Sequence, residues 1–216
     1  MDMGKIIAVA NQKGGVGKTT SCVNLCAALA KRNRKVLLAD CDPQGNSTSG
    51  MGVSKEQAPN VYDLLVRGAD AADCVVKTPF GDVLPSNKEL SGASVELVDM
   101  ANREYVLKTR LLGQRDNYDY IFIDCPPSLE LLTVNALAAA DSVQCEYYAL
   151  EGIADLMTTI KLTKKRLNPE LEIQGIVLTM YDGRTNFSEQ VAAEVEKFFG
   201  SSVYKTRIPR NVRIAE

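Results

Sequence analysis

No histidine occurs among the 216 residues. The commonest general base is therefore missing, and with it every Ser-His-Asp or Cys-His arrangement, so a water-activating group must be a carboxylate or an amide. The six cysteines, at 22, 26, 41, 74, 125 and 145, never form Cys-x-x-Cys, and without histidine a Cys/His zinc site is excluded. They read as small buried hydrophobes in a reducing compartment. The chain also lacks a run of eighteen apolar residues and a charged-then-apolar leader at Met1 to Lys5, so a cytoplasmic protein without a membrane is expected. Its 25 basic residues nearly balance 27 acidic ones, for a net charge of −2. Any nucleic-acid binding must then rest on a local patch.

Hydrophobic residues make up 45% of the chain, enough for a substantial core, and the length suits one domain over 1–216. Apolar, β-branched runs near Ile6 to Ala10, Val36 to Ala39, Val83 to Leu84, Tyr120 to Ile123, Val143 to Cys145, Ile173 to Leu178 and Val203 to Ile208 read as strands. Helical patterns near Thr19 to Lys31, Tyr62 to Val66, Asn102 to Leu112, Leu129 to Ala139, Ile153 to Leu167 and Ser188 to Phe199 alternate with them. This order predicts an α/β fold: a mostly parallel, twisted sheet of about seven strands with helices on both faces. Ser47 to Pro59 is polar and irregular, and Asp82 to Asn87 reads as a short strand with a structural role.

Between the first strand and the first helix lies Lys13-Gly14-Gly15-Val16-Gly17-Lys18-Thr19-Thr20. Glycines let backbone N–H groups approach phosphate oxygens without a Cβ in the way, and the following helix aims its positive end at the anion. Lys18 would reach the β and γ phosphates of ATP, and the Thr19 hydroxyl would ligate Mg²⁺. The spacing is a variant of the usual phosphate loop, because only Gly15 and Val16 separate Gly14 from Gly17 and a second lysine precedes the first glycine. A glycine-rich turn without a ligand is the bland alternative. The coincidence of strand, loop, Lys-Thr and helix argues against it.

Carboxylates follow at two further strand ends. Asp40 and Asp42 stand where open α/β sheets bind ligands, and Pro43 and Gly45 force a turn that can respond to a γ phosphate. Asp124, after Tyr120-Ile121-Phe122-Ile123 and before Cys125-Pro126-Pro127, has the form of a Walker B carboxylate that holds Mg²⁺ directly or through water. Late in the chain, Lys205, Arg207, Arg210 and Arg213 form an acid-free basic stretch, which Arg184, Lys161, Lys164, Lys165 and Arg166 could join. It is either a nonspecific phosphate-binding surface or a solvated face.

Lys13-Gly-Gly-Val-Gly-Lys-Thr, Asp40-Cys-Asp-Pro-Gln-Gly, Asp124-Cys-Pro-Pro, Tyr148-Ala-Leu-Glu-Gly and Ile208-Pro-Arg-Asn together resemble the ParA/Soj-type partitioning ATPases, which carry a deviant Walker A loop. The resemblance implies that Lys13 crosses an ATP-dependent homodimer interface to the partner's nucleotide. It implies that Asp42 positions the attacking water and that Asp40 lies near the magnesium shell. It further implies adenine contacts from Met180, Pro209 and Asn211, nonspecific DNA binding through Arg184 and Arg213, nucleoid association, and stimulation of a slow ATPase by a ParB-like protein. A membrane-associated division-site ATPase of the MinD kind and a metabolic P-loop ligase are the alternatives.

The chain departs from the family pattern after Asp141-Ser142. Several further apolar residues make a full central strand in the family, whereas only Val143 to Cys145 reads as strand here. Three residues span about 10 Å, short for a strand. Either the protein has a shortened strand, or residues are missing from the sequence; the second is favoured, since a shortened buried strand leaves unpaired backbone groups. The family also continues beyond the position of Glu216, so its C-terminal helices are expected to be absent from 1–216.

Overall fold

Alternate residues of the first strand, Lys5–Ala10 (β1), serve two different cores. Ile6, Ala8 and Ala10 face one apolar cluster, and Ile7 and Val9 face the other. A strand buried on both sides has no polar face to offer, which is why its sequence is a continuous apolar run. The computed structural model describes residues 3–147 and 153–211.

Six more strands complete the sheet: β2 (Val36–Asp40), β3 (Asp82–Leu84), β4 (Tyr120–Asp124), β5 (Ser142–Tyr147), β6 (Glu172–Tyr181) and β7 (Val203–Pro209). They lie in the order β3-β2-β4-β1-β5-β6-β7, and every pairing between them is parallel. The α-helices are α1 (Lys18–Ala30), α2 (Asn46–Gly50), α3 (Ala71–Cys74), α4 (Ala93–Glu96), α5 (Val106–Leu111), α6 (Leu131–Ala139), α7 (Ile153–Arg166) and α8 (Asn186–Phe199). Cys22 and Cys26 of α1 pack with Met51 against Ile7, Val9, Leu38 and Phe122 on one face. Residues of α5, α6, α7 and α8, among them Leu107, Leu137, Leu156 and Val195, cover the other. The seven-stranded parallel α/β sheet read from the sequence is thus observed, with its helices on both sides. All six cysteines are buried free thiols, as their spacing implied.

From β1 the chain first runs outward to β2 and β3, returns to β4 beside β1, and then continues on β1's other flank through β5 to β7. Sheets that reverse direction in this way open a crevice at the carboxyl ends of the strands where the reversal occurs. Here that point is the end of β1, where the glycine-rich loop begins.

Several boundaries differ from the sequence reading. The three-residue strand at Val143 to Cys145 is corrected: β5 has six residues, Ser142–Tyr147, and pairs with both β1 and β6. Strand pairing needs only backbone groups, so the polar Gln144 and Glu146 are drawn into it. The helix expected near Tyr62 is a single π-type turn, Asp63–Arg67. The one expected over Asn102 to Leu112 is broken into 3₁₀ turns flanking α5, after a left-handed Asn102 with φ of 57°. The irregular stretch from Ser47 contains α2.

Candidate nucleotide site

The loop after β1 is shaped by two local devices. Asn11 accepts the Lys13 N–H on its Oδ1 at 2.8 Å, and its Nδ2 donates to the Glu146 carbonyl on β5. Gly15 and Gly17 then take φ of 71° and 106°, a left-handed region that side chains rarely adopt. Gly17 is the N-cap of α1, without a side-chain cap, and the first turn of α1 contains no acidic residue. The helix therefore presents an uncompensated positive end to the crevice, suited to an anion. Thr179 of β6 fixes the loop from the far side by donating its hydroxyl to the Val16 carbonyl at 2.6 Å.

Lys18, the first residue of α1, is buried, and its Nζ donates to the Lys13 carbonyl at 2.9 Å. Burial lowers its pKa, while the nearby charges of Asp124 and Asp42 oppose that shift. Asp40 and Asp124 lie directly opposite each other across β2 and β4, and both are fully buried. Asp124 Oδ2 accepts from the Thr19 hydroxyl at 2.8 Å and the Ser47 hydroxyl at 2.5 Å. Its Oδ1 is buried and accepts no hydrogen bond. An orphaned carboxylate oxygen beside a threonine hydroxyl is a hard-oxygen donor set, which fits Mg²⁺. Burial raises the Asp124 pKa against the bonds from Ser47 and Thr19 and the charge of Lys18.

Both oxygens of Asp40 are engaged within its own loop. Oδ2 accepts the Thr48 N–H at 2.8 Å and the Thr48 hydroxyl at 2.7 Å, and Oδ1 accepts the Asp42 N–H at 3.1 Å. Burial, reinforced by the Asp124 charge, pushes the Asp40 carboxyl up to about 7. Asp42 is 8% exposed, and its Oδ1 accepts the Gln44 N–H at 2.9 Å. Ser86, just past β3, donates its hydroxyl to the Asp42 carbonyl at 2.9 Å and its N–H to Thr48 Oγ1 at 2.8 Å.

Met180, Pro209 and Asn211 line one cleft of about 560 Å³ together with Gly17, Thr20 and Asn24. The strand ends of β6 and β7 thus bring the three base-contact candidates beside Thr20 of the phosphate loop. Met180 takes a left-handed φ of 50°, uncommon for a residue with a side chain. Arg184 lies apart on the surface, 89% exposed, and donates Nε and Nη2 to Asp182 at 2.8 and 2.7 Å. Arg213 falls outside the described residues. Lys205 and Arg210 are exposed, whereas Arg207 is half-buried over the Tyr181 ring and pairs with Glu196.

Sequence reasoning missed Ser47, Thr48, Ser86 and Glu146. A Ser-Thr pair soon after an Asp-x-Asp-Pro turn is a usable signal for hydroxyls returning to carboxylates. Ser86 gave none, since a serine after a short strand is commonplace.

A family model described as an AAA domain matches residues 4–173. The chain is 56% identical over 221 residues to the sporulation initiation inhibitor protein Soj of Bacillus subtilis, covering 99% of this chain and 87% of that protein. At least five residues of that relative have no counterpart here, because 221 aligned positions exceed the 216 residues of this chain. Identity to the chromosome partitioning protein ParA of Caulobacter vibrioides is 52%, over 98% of this chain and 83% of that protein. Among solved structures, cobyrinic acid a,c-diamide synthase from Mycobacterium smegmatis with bound ADP and magnesium matches with a TM-score of 0.92 at 38% identity, over 97% of this chain and 88% of that one. The same synthase has also been solved with an ATP analogue and magnesium. By its phosphate loop, its strand-end aspartates and these likenesses, the chain belongs to the Soj/ParA family of chromosome-partitioning ATPases.

Proposed function

We propose that this chain binds ATP with Mg²⁺ at the loop from Lys13 to Thr20, hydrolyses it slowly, and uses the ATP-bound homodimer to grip DNA without regard to sequence. The observation that carries the reading is the convergence at one sheet edge of Lys18, Thr19, Asp42 and Asp124, with the Oδ1 of Asp124 buried and unpartnered. Thr19 and Asp124 would hold the cation, with Asp40 behind them. When bound, Mg²⁺ neutralises charge on the phosphate oxygens.

The remaining steps belong to the chain's own residues. Lys18 offsets the charge that develops on the transferred phosphoryl group, and Lys13 of a second copy does so from across the dimer. Asp42 orients the attacking water, the role that the family resemblance implies for it; the absence of histidine leaves such a task to a carboxylate or an amide. Without a strong base the intrinsic rate is slow, and a ParB-like partner accelerates it. Hydrolysis then resets the grip on DNA. Chromosome partitioning is preferred over a ligase reaction because identity with Soj, at 56%, exceeds the 38% shared with the solved synthase.

DNA retention measured with ATP, with ADP and without nucleotide, on the wild type and on Lys13→Ala, tests the switch. Retention that requires both ATP and Lys13 is expected; indifference to either defeats the reading. Asp42→Ala should trap the bound state on DNA, and normal hydrolysis by that variant removes Asp42 from the mechanism.

A further inference from the structure

β5 is completed by residues that a buried strand rarely uses. Ser142, Val143, Gln144 and Cys145 lie beside β1, and Glu146 continues the strand, paired with Val177 of β6. Val143 and Cys145 join the large core. Gln144 and Glu146 alternate to the opposite side, toward α1, as the period of two requires. Glu146 is fully buried there. Its Oε1 accepts from Gln144 Nε2 at 2.8 Å, and the Ser21 hydroxyl on the first turn of α1 favours the charged carboxylate. Its Oε2 is buried with no hydrogen-bond partner. A buried carboxylate oxygen without a donor is costly, and neither the magnesium site nor the base cleft uses this one.

The groups acting electrostatically with Glu146 come from several elements: Lys18 and Cys22 of α1, Asp124 of β4, Cys145 of β5 and Tyr204 of β7. Lys18 is the one cation among them, and it is also the lysine aimed at the phosphates.

We propose that Glu146 is a buried counter-charge behind the phosphate loop, and that nucleotide binding by this chain is coupled to uptake of a proton by its carboxylate. The inference rests on the phosphate loop being the nucleotide site. Incoming phosphates add negative charge and engage Lys18, so the compensation Lys18 gives to Glu146 is withdrawn. Proton uptake on Oε2 removes the uncompensated charge. Even before nucleotide arrives, burial holds the Glu146 carboxyl at about 7, against the Gln144 hydrogen bond, the Ser21 hydroxyl and the Lys18 charge. Near neutral pH the free protein is thus only partly protonated at this site, leaving room for uptake of about half a proton per nucleotide.

Calorimetric titration of the full chain with ADP and Mg²⁺ at pH 7, in phosphate and in Tris, measures the uptake directly. The expected result is a buffer-dependent enthalpy corresponding to about half a proton, and an affinity that weakens several-fold from pH 6 to pH 8. Glu146→Gln should bind ADP with that excess uptake and that steepness lost. Should Glu146→Gln fail to fold, Gln144→Leu serves instead. It removes a donor that favours the charged carboxylate, so the pH of maximal uptake should move upward. No nucleotide binding by the wild type defeats the nucleotide-site reading itself. Binding without proton uptake, uptake that persists in Glu146→Gln, or an unmoved maximum in Gln144→Leu overturns the role of Glu146 alone.

Discussion

Asp40 and Asp124 face each other across β2 and β4, and adjacent hydroxyls of one short helix hold them: Thr48 bonds Asp40, and Ser47 bonds Asp124. Two acids in register in a dry interior repel each other, and α2 supplies the donors that let the pair persist. The helix that follows Asp42 is thereby tied to both the loop geometry and the proposed cation site.

Thr48→Val keeps the shape of the side chain and removes its hydroxyl. It leaves Asp40 Oδ2 without one donor and the Ser86 N–H without its acceptor. A loss of about 2–3 kcal/mol in stability is expected from the two unmet groups. Urea denaturation measures it, and an unchanged midpoint would show that the network is dispensable.

Asp124→Asn retains an oxygen for Thr19 and Ser47 while removing the carboxylate charge. Affinity for the divalent cation should fall by about tenfold or more, by comparison with losses seen on changing groups around metal sites. Titration with Mn²⁺ followed by paramagnetic resonance reads this independently of turnover.

The carboxyls of Asp40 and Glu146 are both raised to about 7 by burial. A carboxyl whose folded value lies above its unfolded one, about 4, binds its proton more tightly in the folded chain. Its stabilisation is full below that unfolded value and is lost as pH rises through 7. Thermal unfolding of the protein without nucleotide or Mg²⁺ should therefore shift to lower temperature between pH 5 and pH 8. Asp40→Asn and Glu146→Gln should each flatten that profile.

Gly45 has φ of 60°, and a Cβ added there would lie 2.7 Å from the Ser86 carbonyl oxygen. Gly45→Ala meets both a disfavoured backbone region and a fixed backbone atom, at a cost of about 1–3 kcal/mol. Relief by displacement would carry Asp42 away from Ser86. A fall in ATPase activity larger than the fall in nucleotide affinity is the expected signature.

Arg184 is chelated by Asp182, whose carboxyl it holds down at about 2. In the proposed DNA contact, a phosphate would compete for that guanidinium. Asp182→Asn should tighten DNA binding, whereas Arg184→Ala should weaken it and reduce the salt slope by about one. Equal affinities across the two variants would exclude Arg184 from the contact.

The sequence by itself determined the parts whose signals are local. Glycines at 15 and 17, the Lys18-Thr19 pair and the aspartates at strand ends follow from backbone freedom and short-range chemistry, and apolar alternation with helices was enough for a parallel sheet. Met180, Pro209 and Asn211 were legible only as candidates, because their meeting depends on how β6 and β7 end beside one another. The length of the strand at Val143 is not legible in the sequence, since side-chain polarity does not govern a pairing that backbone groups decide. Only the tertiary structure put Ser47 on Asp124, Ser86 on Thr48 and Glu146 behind Lys18. Each of these contacts joins residues far apart in the chain, and it is burial among several elements, absent from any local pattern, that gives those polar groups their chemistry.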